Sequence, residues 1–324
     1  MISSVKSAMR ASATFIRHWQ KKRIRQKILN KKTKRAQHHY DPTPEITFVI
    51  QFFNKKQNVN QIFRAIQPFE HAEIIVIDDG SIDGSHKEWM RLLTKPNHFL
   101  LHSNDLHEVI TYDRALRMAK GKFACLLQDD DFPIGEKWVT EALNLLNNYP
   151  TMIILGGKSG LEVKLPDEPK HKNDNEYSIT ENIASAPGIT KYRLFSDPIY
   201  LCPRTNVPFM FCSAINRAPM FVNTQAYLKL GGTDLSFAPF QCDDFDICLR
   251  AWKSGYKVGF YHANFRRNIN IGGMRLFNAE IVSGQAAKNW KKIYQIHSHF
   301  IAEEVHQLVK AANSSLDKIE GHIS

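Results

Sequence analysis

The sequence predicts an α/β fold in which a mixed, mainly parallel sheet is flanked by helices. Three observations lead there. Short, wholly apolar runs rich in β-branched residues recur between residues 46 and 156, as strands buried on both faces do. Stretches of helical periodicity separate them, and strand–helix alternation builds parallel sheets through right-handed crossovers. Two acidic clusters, Asp78-Asp79 and Asp129-Asp130-Asp131, each follow such a run. Ligands of open α/β sheets bind beyond the carboxyl ends of strands, so this topology brings both clusters to one rim.

Each element is placed in turn. Asp41-Pro42-Thr43-Pro44 punctuates the chain with turn-favouring residues. Ile46–Phe53 is a continuous apolar run with β-branched and aromatic side chains, a buried strand. A helix is expected from about 58 to 66, then a second buried strand over Glu73–Ile77 that ends in Asp78-Asp79-Gly80-Ser81. Residues 86–93 read as helix, 99–102 as a short strand, 109–119 as helix, 122–127 as strand, 136–147 as helix and 152–156 as strand. From about 158 to 198 the chain is polar and aperiodic, which predicts a long loop or insertion over the site. Order returns at Phe209–Ile215, with a helix near 224–230, a Gly231-Gly232 stop, a helix over 243–253 and a closing strand at Lys257–Tyr261. A last helical stretch covers about 284–312.

The net charge of +11 suggests a nucleic-acid partner until it is located. Twelve of the 43 basic residues and none of the acids lie in residues 1–40, which leaves 31 basic against 32 acidic residues elsewhere. The body is neutral and offers no basic face, which argues against nucleic acid. Phe15, Ile16 and Trp19 suit a membrane interface, with the lysines against anionic head groups. However, Ile24 and Ile28 project about 180° from Phe15, so a solvated basic tail fits the pattern equally. No apolar run reaches ~18 residues, so no spanning helix is expected. The N-terminus lacks the pattern of a secretory signal. The five cysteines form no CxxC pair, and four sit in apolar settings, which favours free thiols in a reducing compartment over a zinc site. A cytoplasmic protein follows, peripheral on a membrane if the arm docks.

Three acidic segments carry the candidate chemistry. Leu126-Leu127-Gln128-Asp129-Asp130-Asp131 places consecutive carboxylates at a strand end, where their repulsion suits either a divalent cation or a solvated helix-capping turn. Asp78-Asp79-Gly80-Ser81-Ile82-Asp83-Gly84-Ser85 suits ribose and base contacts, or an Asx-turn leading into a capped helix. Asp243-Asp244 opens a helix, so these residues serve as caps or supply a general base. Taken singly, none decides the matter.

Their ordered combination resembles family 2 glycosyltransferases. Phe48–Asn54 looks like that family's opening strand and turn, Ile75–Ser85 its V-D-D-G-S-x-D-G-S segment, and Ala119-Lys120-Gly121-Lys122-Phe123 its A-x-G-E-Y. Leu230-Gly231-Gly232-Thr233-Asp234 through Asp244 and Arg250 resembles its G-G-F-D…E-D-x-D-L-x-x-R block, and the likeness spans about residues 45–262. The resemblance implies a GT-A fold acting on a nucleotide-diphospho-sugar, with UDP favoured, and inversion at the anomeric carbon. It implies that Asn54, Asp78, Asp79 and Asp129 hold the nucleoside. Asp130, supported by Asp131, would bind Mn2+ or Mg2+, and Asp244, with Asp243 as competitor, would act as base. Gln128 stands where the family's Asp-x-Asp motif has its first carboxylate. The family's late histidine falls at Asn268, which leaves His262 or no third metal ligand. Arg266, Arg267 and Arg275 fall where a basic loop over the diphosphate would lie, though surface solvation fits them as well.

The implied organisation is a basic extension (1–40), a GT-A domain (41–283) and a C-terminal helical segment (284–324). Within the domain, a nucleotide half covers about 45–157 and an acceptor half about 199–283. The acceptor, whether glycan, lipid-linked or protein, is left open. A related nucleotidyltransferase would want a glycine-rich basic loop after the first strand, where Gln51-Phe52-Phe53-Asn54-Lys55-Lys56 stands instead. A degenerate GT-A fold serving as a binding module is the remaining alternative.

Overall fold

A computed structural model describes residues 18–28, 30, 43–162, 175–178, 191–195, 198, 200–202, 205–217, 219–267 and 279–317. Residues 1–42 and 43–324 form two separate compact units. In the first, residues 18–28 form helix α1, with Trp19, Ile24 and Ile28 exposed. The Arg23 guanidinium lies 4.7 Å from the centre of the Trp19 ring. Phe15 and Ile16, the other expected anchors, lie outside the described residues.

The second unit begins with β1 (Ile46–Phe52), α2 (Lys56–Ile66), β2 (Glu73–Asp78), α3 (Ser85–Leu92), β3 (His98–His102) and α4 (His107–Met118). There follow β4 (Phe123–Leu127), β5 (Asp131–Pro133), α5 (Lys137–Asn148), β6 (Met152–Gly156) and β7 (Gly160–Glu162). Next come β8 (Asn175–Ser178), β9 (Lys191–Phe195), β10 (Tyr200–Leu201), β11 (Pro208–Phe211), β12 (Ala214–Ile215) and β13 (Met220–Asn223). The chain closes with α6 (Thr224–Lys229), α7 (Asp243–Lys253), β14 (Lys257–Tyr261), β15 (Phe265–Arg267), α8 (Ala279–Glu303) and α9 (Val305–Asp317).

Nine strands form one sheet in the order β10-β11-β14-β6-β13-β4-β1-β2-β3. Only β11 and β13 run against the rest, so the sheet is mixed and mainly parallel, as the sequence predicts. β1 through β3 step one way from β1, and β4 returns to its other side. The crevice at such a reversal is where ligands of these sheets bind. Register sets the rim: Phe52 pairs with Asp78, and Asp78 with His102.

β1, β2, β4 and β6 are buried throughout or nearly so, because helices cover both faces. Trp138, Phe48 and Phe221 pack ring to ring beneath them. At the opposite edge, Thr47 Oγ donates to Glu73 at 2.8 Å, the Lys120 N–H to Glu73 at 2.8 Å, and the Gly121 N–H to Thr47 Oγ at 2.9 Å. A Cβ on Gly121 would sit 2.6 Å from the Thr47 nitrogen, so only glycine permits this approach. The glycine of the A-x-G segment is thus a packing requirement.

One expectation needs correction, and three features go beyond what the sequence predicts. The 158–198 segment is not one irregular loop: its described residues include β7, β9 and β8, which join β12 in a second sheet of order β12-β7-β9-β8. β13 lies between β4 and β6, yet its four residues are too few to show a period. β5 and β15 pair antiparallel, with Arg267 opposite Asp131, although their sequences lie far apart. The C-terminal stretch divides into α8 and α9. Among the described residues no helix is long and apolar enough to cross a membrane. All five cysteines are buried and free.

Candidate active site

The paired turns after β1 and β2, the end of β4 and the start of α7 supply the site. The first turn, after β1, is built around Asn54, which is left-handed at φ 51°. Its N–H donates to Ser81 Oγ at 3.0 Å, and its side-chain oxygen accepts from the Ile82 N–H at 2.8 Å. Asn54 therefore ties the β1 turn to the β2 turn. Asp78 closes that second turn by accepting from the Ser81 N–H at 3.0 Å, and its other oxygen lies 3.4 Å from His102 Nδ1. Asp79, fully buried, accepts from Ser103 Oγ (2.5 Å), the Leu106 N–H (2.9 Å) and the His107 N–H (2.8 Å). These bonds organise the loop into α4, and they engage both carboxylate oxygens of Asp79 within the protein.

At the end of β4, Asp129 accepts from the Phe53 N–H at 3.0 Å and from Lys55 Nζ at 2.7 Å. Its backbone carbonyl receives Asn58 Nδ2 at 2.7 Å. Burial raises the Asp129 carboxyl above the ordinary range, against the pull of Lys55. Asp130 is also buried, and Lys55 Nζ lies 3.8 Å from its carboxylate, outside hydrogen-bond range. Among the described residues no hydrogen bond reaches the Asp130 side chain. Lys55, which sequence reasoning passed over, is thus the counter-ion of this cluster. Its signal was available, since it is a cation in the turn beside a predicted strand-end acid group.

A divalent cation fits here to a limited extent. The Asp130 carboxylate is buried and unbonded, and an all-oxygen donor set suits a hard cation that completes its shell with phosphate and water. Among the described residues no group of three or more His, Cys, Asp or Glu side chains gathers to hold an ion alone. His262 is exposed just past β14. Asp131 enters β5 by its backbone, opposite Arg267 of β15. Arg275 and Asn268 lie outside the described residues.

The third component is the start of α7. Gln241 (φ 73°) and Cys242 (φ 67°) are both left-handed without being glycine, which strains the approach to Asp243. That approach is held from outside. Asn289 on α8 donates to the carbonyls of Phe237 (2.9 Å), Phe240 (2.8 Å) and Gln241 (2.9 Å), and the Gln241 N–H reaches Glu108 at 3.3 Å. Arg250, one face along α7, pairs with Asp246 at 2.7 Å and binds the carbonyls of Leu230 and Gly232 at 2.8 and 2.7 Å. His297 on α8 bonds the other Asp246 oxygen at 2.8 Å. The late motif residues Asp246 and Arg250 thus brace the helix.

Asp243 is buried and bonded to the Arg217 guanidinium. Asp244 is partly exposed, and its oxygens accept from the Arg217 N–H at 3.1 Å and the Phe245 N–H at 2.9 Å. Burial first, and Asp243 second, raise its carboxyl. Glu108, whose oxygen lies 3.9 Å from Arg217, is pushed up to about 7 by burial. Tyr112 joins the two halves of the site. Its hydroxyl donates to the Leu127 carbonyl of β4 at 2.7 Å, and its ring lies 4.6 Å beneath the Arg217 guanidinium.

Paired carboxylates at the switch point of a mixed sheet, with a carboxylate-led helix across the rim, are the arrangement that the resemblance to GT-A folds implies. Residues 47–216 match the model described as glycosyl transferase family 2, and the chain belongs to that family. Among solved structures, GalNAc-T7 with UDP, GalNAc and Mn2+ is similar, with a TM-score of 0.56, 13% identity, and 78% of this chain and 48% of that one covered. The mannosyltransferase PcManGT from Pyrobaculum calidifontis, in complex with GDP-Man and Mn2+, gives a TM-score of 0.48 at 15% identity over 87% of this chain and 77% of that one. TarS from S. aureus gives 0.45 at 13% identity over 69% of this chain, which spans 37% of the TarS chain's length. No curated protein sequence matches the chain.

Proposed function

We propose that the chain is an inverting glycosyltransferase that moves a sugar from a nucleotide-diphospho-sugar, UDP-linked by preference, to an acceptor hydroxyl. The observation that carries this is the Tyr112 bridge between the Asp129–Asp130 strand and the Arg217–Asp244 pocket. It sets an unbonded carboxylate and a partly exposed one on the two sides of one rim. The GT-A neighbour named with UDP, GalNAc and Mn2+ supports the donor class.

In this reading the nucleoside lies along Asn54, Asp78, Asp79 and Asp129, and the internal bonds of those residues keep the turns preformed. Asp130, with Asp131, would hold Mg2+ or Mn2+. Such a cation offsets charge on a departing diphosphate. The acceptor oxygen attacks the anomeric carbon while its proton passes to Asp244. The bond from that carbon to the diphosphate oxygen breaks, and the electron pair leaves with the nucleoside diphosphate. One displacement from the opposite face inverts configuration.

Melting curves with UDP, GDP or TDP, each with and without Mn2+, test the reading. We expect one nucleotide to stabilise the protein and to need the ion. No shift with any of them would leave only a binding module. The five buried free thiols suit a reducing, cytoplasmic compartment. The basic helix α1, with exposed Trp19, suits an anionic membrane surface, and co-sedimentation with phosphatidylserine vesicles checks it.

A further inference from the structure

Arg217 is an arginine almost wholly out of water, its side chain 5% exposed, at the centre of the acceptor side of the site. Around it stand Asp243 and Asp244 from α7, Glu108 and Tyr112 from α4, and Tyr227 from α6. Two thiols, Cys242 and Cys248, flank the acids on the α7 side. Burial pushes both tyrosines and both thiols upward, so they stay neutral near pH 7. The pocket therefore sets one guanidinium against three carboxyl groups, of which Glu108 is pushed up to about 7.

We propose that Arg217 is a positioning residue for the transfer step: its guanidinium pairs with Asp243 and Glu108 and withdraws them from the chemistry, while its backbone N–H aims Asp244 as the carboxylate that takes the acceptor's proton. The inference rests on the assignment of Asp244 as base. Three features carry it. The side chain bonds Asp243 directly and lies 3.9 Å from Glu108, whereas Asp244 meets only the backbone of Arg217, so cation and base are kept apart. The ring of Tyr112 lies 4.6 Å beneath the guanidinium and fixes its plane. Its Nε is buried with no hydrogen-bond partner among the described residues. A buried charge with an unsatisfied donor is a poor device for stability alone, where an apolar side chain would serve better.

The guanidinium also lowers the Asp244 carboxyl, which burial and Asp243 raise. Its loss should therefore move Asp244 further up, and the base would ionise only at higher pH. The test measures nucleoside diphosphate release against pH, from the nucleotide sugar whose diphosphate stabilises the wild type. In Arg217→Met we expect the acid limb to move up by about one unit, so the rate falls roughly tenfold on the acid side of that limb and is largely kept well above it. KM for the donor should hold, and Arg217→Lys should recover part of the shift.

A uniform loss at every pH, equal in the lysine variant, would mark a merely structural role and overturn the proposal. Should Arg217→Met fail to fold, Arg217→Met with Glu108→Gln removes the guanidinium together with one of its acidic neighbours and carries the same test. A displaced limb there supports the proposal, and an unmoved one overturns it. Glu108→Gln alone should keep the limb, and its disappearance would show that Glu108 is the titrating group. Asp244→Asn separates the two levels. Wild-type rates in that variant remove the base itself, whereas an inactive Asp244→Asn beside an unshifted Arg217→Met removes only the part given to Arg217.

Discussion

Replacing Lys55 with methionine tests whether the aspartate cluster is held by an internal cation. Lys55 Nζ lies 2.7 Å from Asp129, and the two side chains are 13% and 11% exposed. Removing one member of a buried pair typically costs ~3–5 kcal/mol. Here the loss is capped, because Asp129 keeps its bond from the Phe53 N–H and can take up a proton instead. We expect a loss of about 2–3 kcal/mol at pH 7, or roughly 5–10 °C in Tm. The sign with pH follows from the Asp129 carboxyl lying above its ordinary value in the fold. Its ionisation opposes folding as pH rises, and loss of Lys55 strengthens that, so the deficit widens with pH and fades toward acid. Urea unfolding of the wild type, Lys55→Met, Asp129→Asn and the double variant gives the coupling, expected near 2 kcal/mol. Strict additivity would refute the pair as an energetic unit. Mn2+ should restore part of the stability of Lys55→Met, since the ammonium no longer competes for the cluster.

Other outcomes follow from the same geometry. Asp244→Asn should lower transfer by about 10²–10⁴-fold while nucleotide binding, measured by calorimetry, stays within about twofold. Asp130→Ala should abolish the dependence of nucleotide binding on divalent ions, and unchanged metal-dependent binding would move the ligand to Asp129 or Asp131. Glu108→Gln should flatten the pH dependence of stability. The Glu108 carboxyl sits at about 7 against an ordinary 4.5, so its contribution is full below 4.5, is lost as pH rises through 7, and leaves the glutamine variant more stable at pH 8 by roughly 1–3 kcal/mol. Gly121→Ala, whose Cβ would lie 2.6 Å from the Thr47 backbone, should cost about 2–4 kcal/mol in thermal unfolding with no change in KM.

The parallel half of the fold was legible because buried strands such as Ile46–Phe52 and Glu73–Asp78 declare themselves by local composition. β13 did not, since four residues set no period and both its partners lie far upstream. β15 and β5 stayed hidden for the same reason: their pairing depends on tertiary contact alone. Within the site the acids were visible, as carboxylates after strands stand out in any sequence. Their counter-charges were not. Arg217 sits alone between apolar runs, Phe209–Ile215 and Met220–Val222, and a lone buried guanidinium demands a partner. Its partners, Asp243 and Glu108, stand far from it in the sequence, and only the fold brings them together. Asp79 carries a part its motif does not announce: it bonds Ser103, Leu106 and His107 and so organises the loop into α4.

The bonds from Asn289 and His297 would also bear on the order in which the molecule assembles during synthesis. β1, β2 and β3 find all their sheet partners within the first 127 residues and β4 one of its two, so this side of the rim can form while synthesis continues. The loop at Phe237–Gln241 has no such independence, since its carbonyls await a donor about fifty residues downstream. β11 waits longer still, for the Asn313 side chain that bonds its Phe211 N–H and carbonyl. A nascent chain would therefore acquire the proposed donor cradle well before the proposed base is aligned. Any nucleotide captured in that interval would meet a surface that can hold it without turning it over.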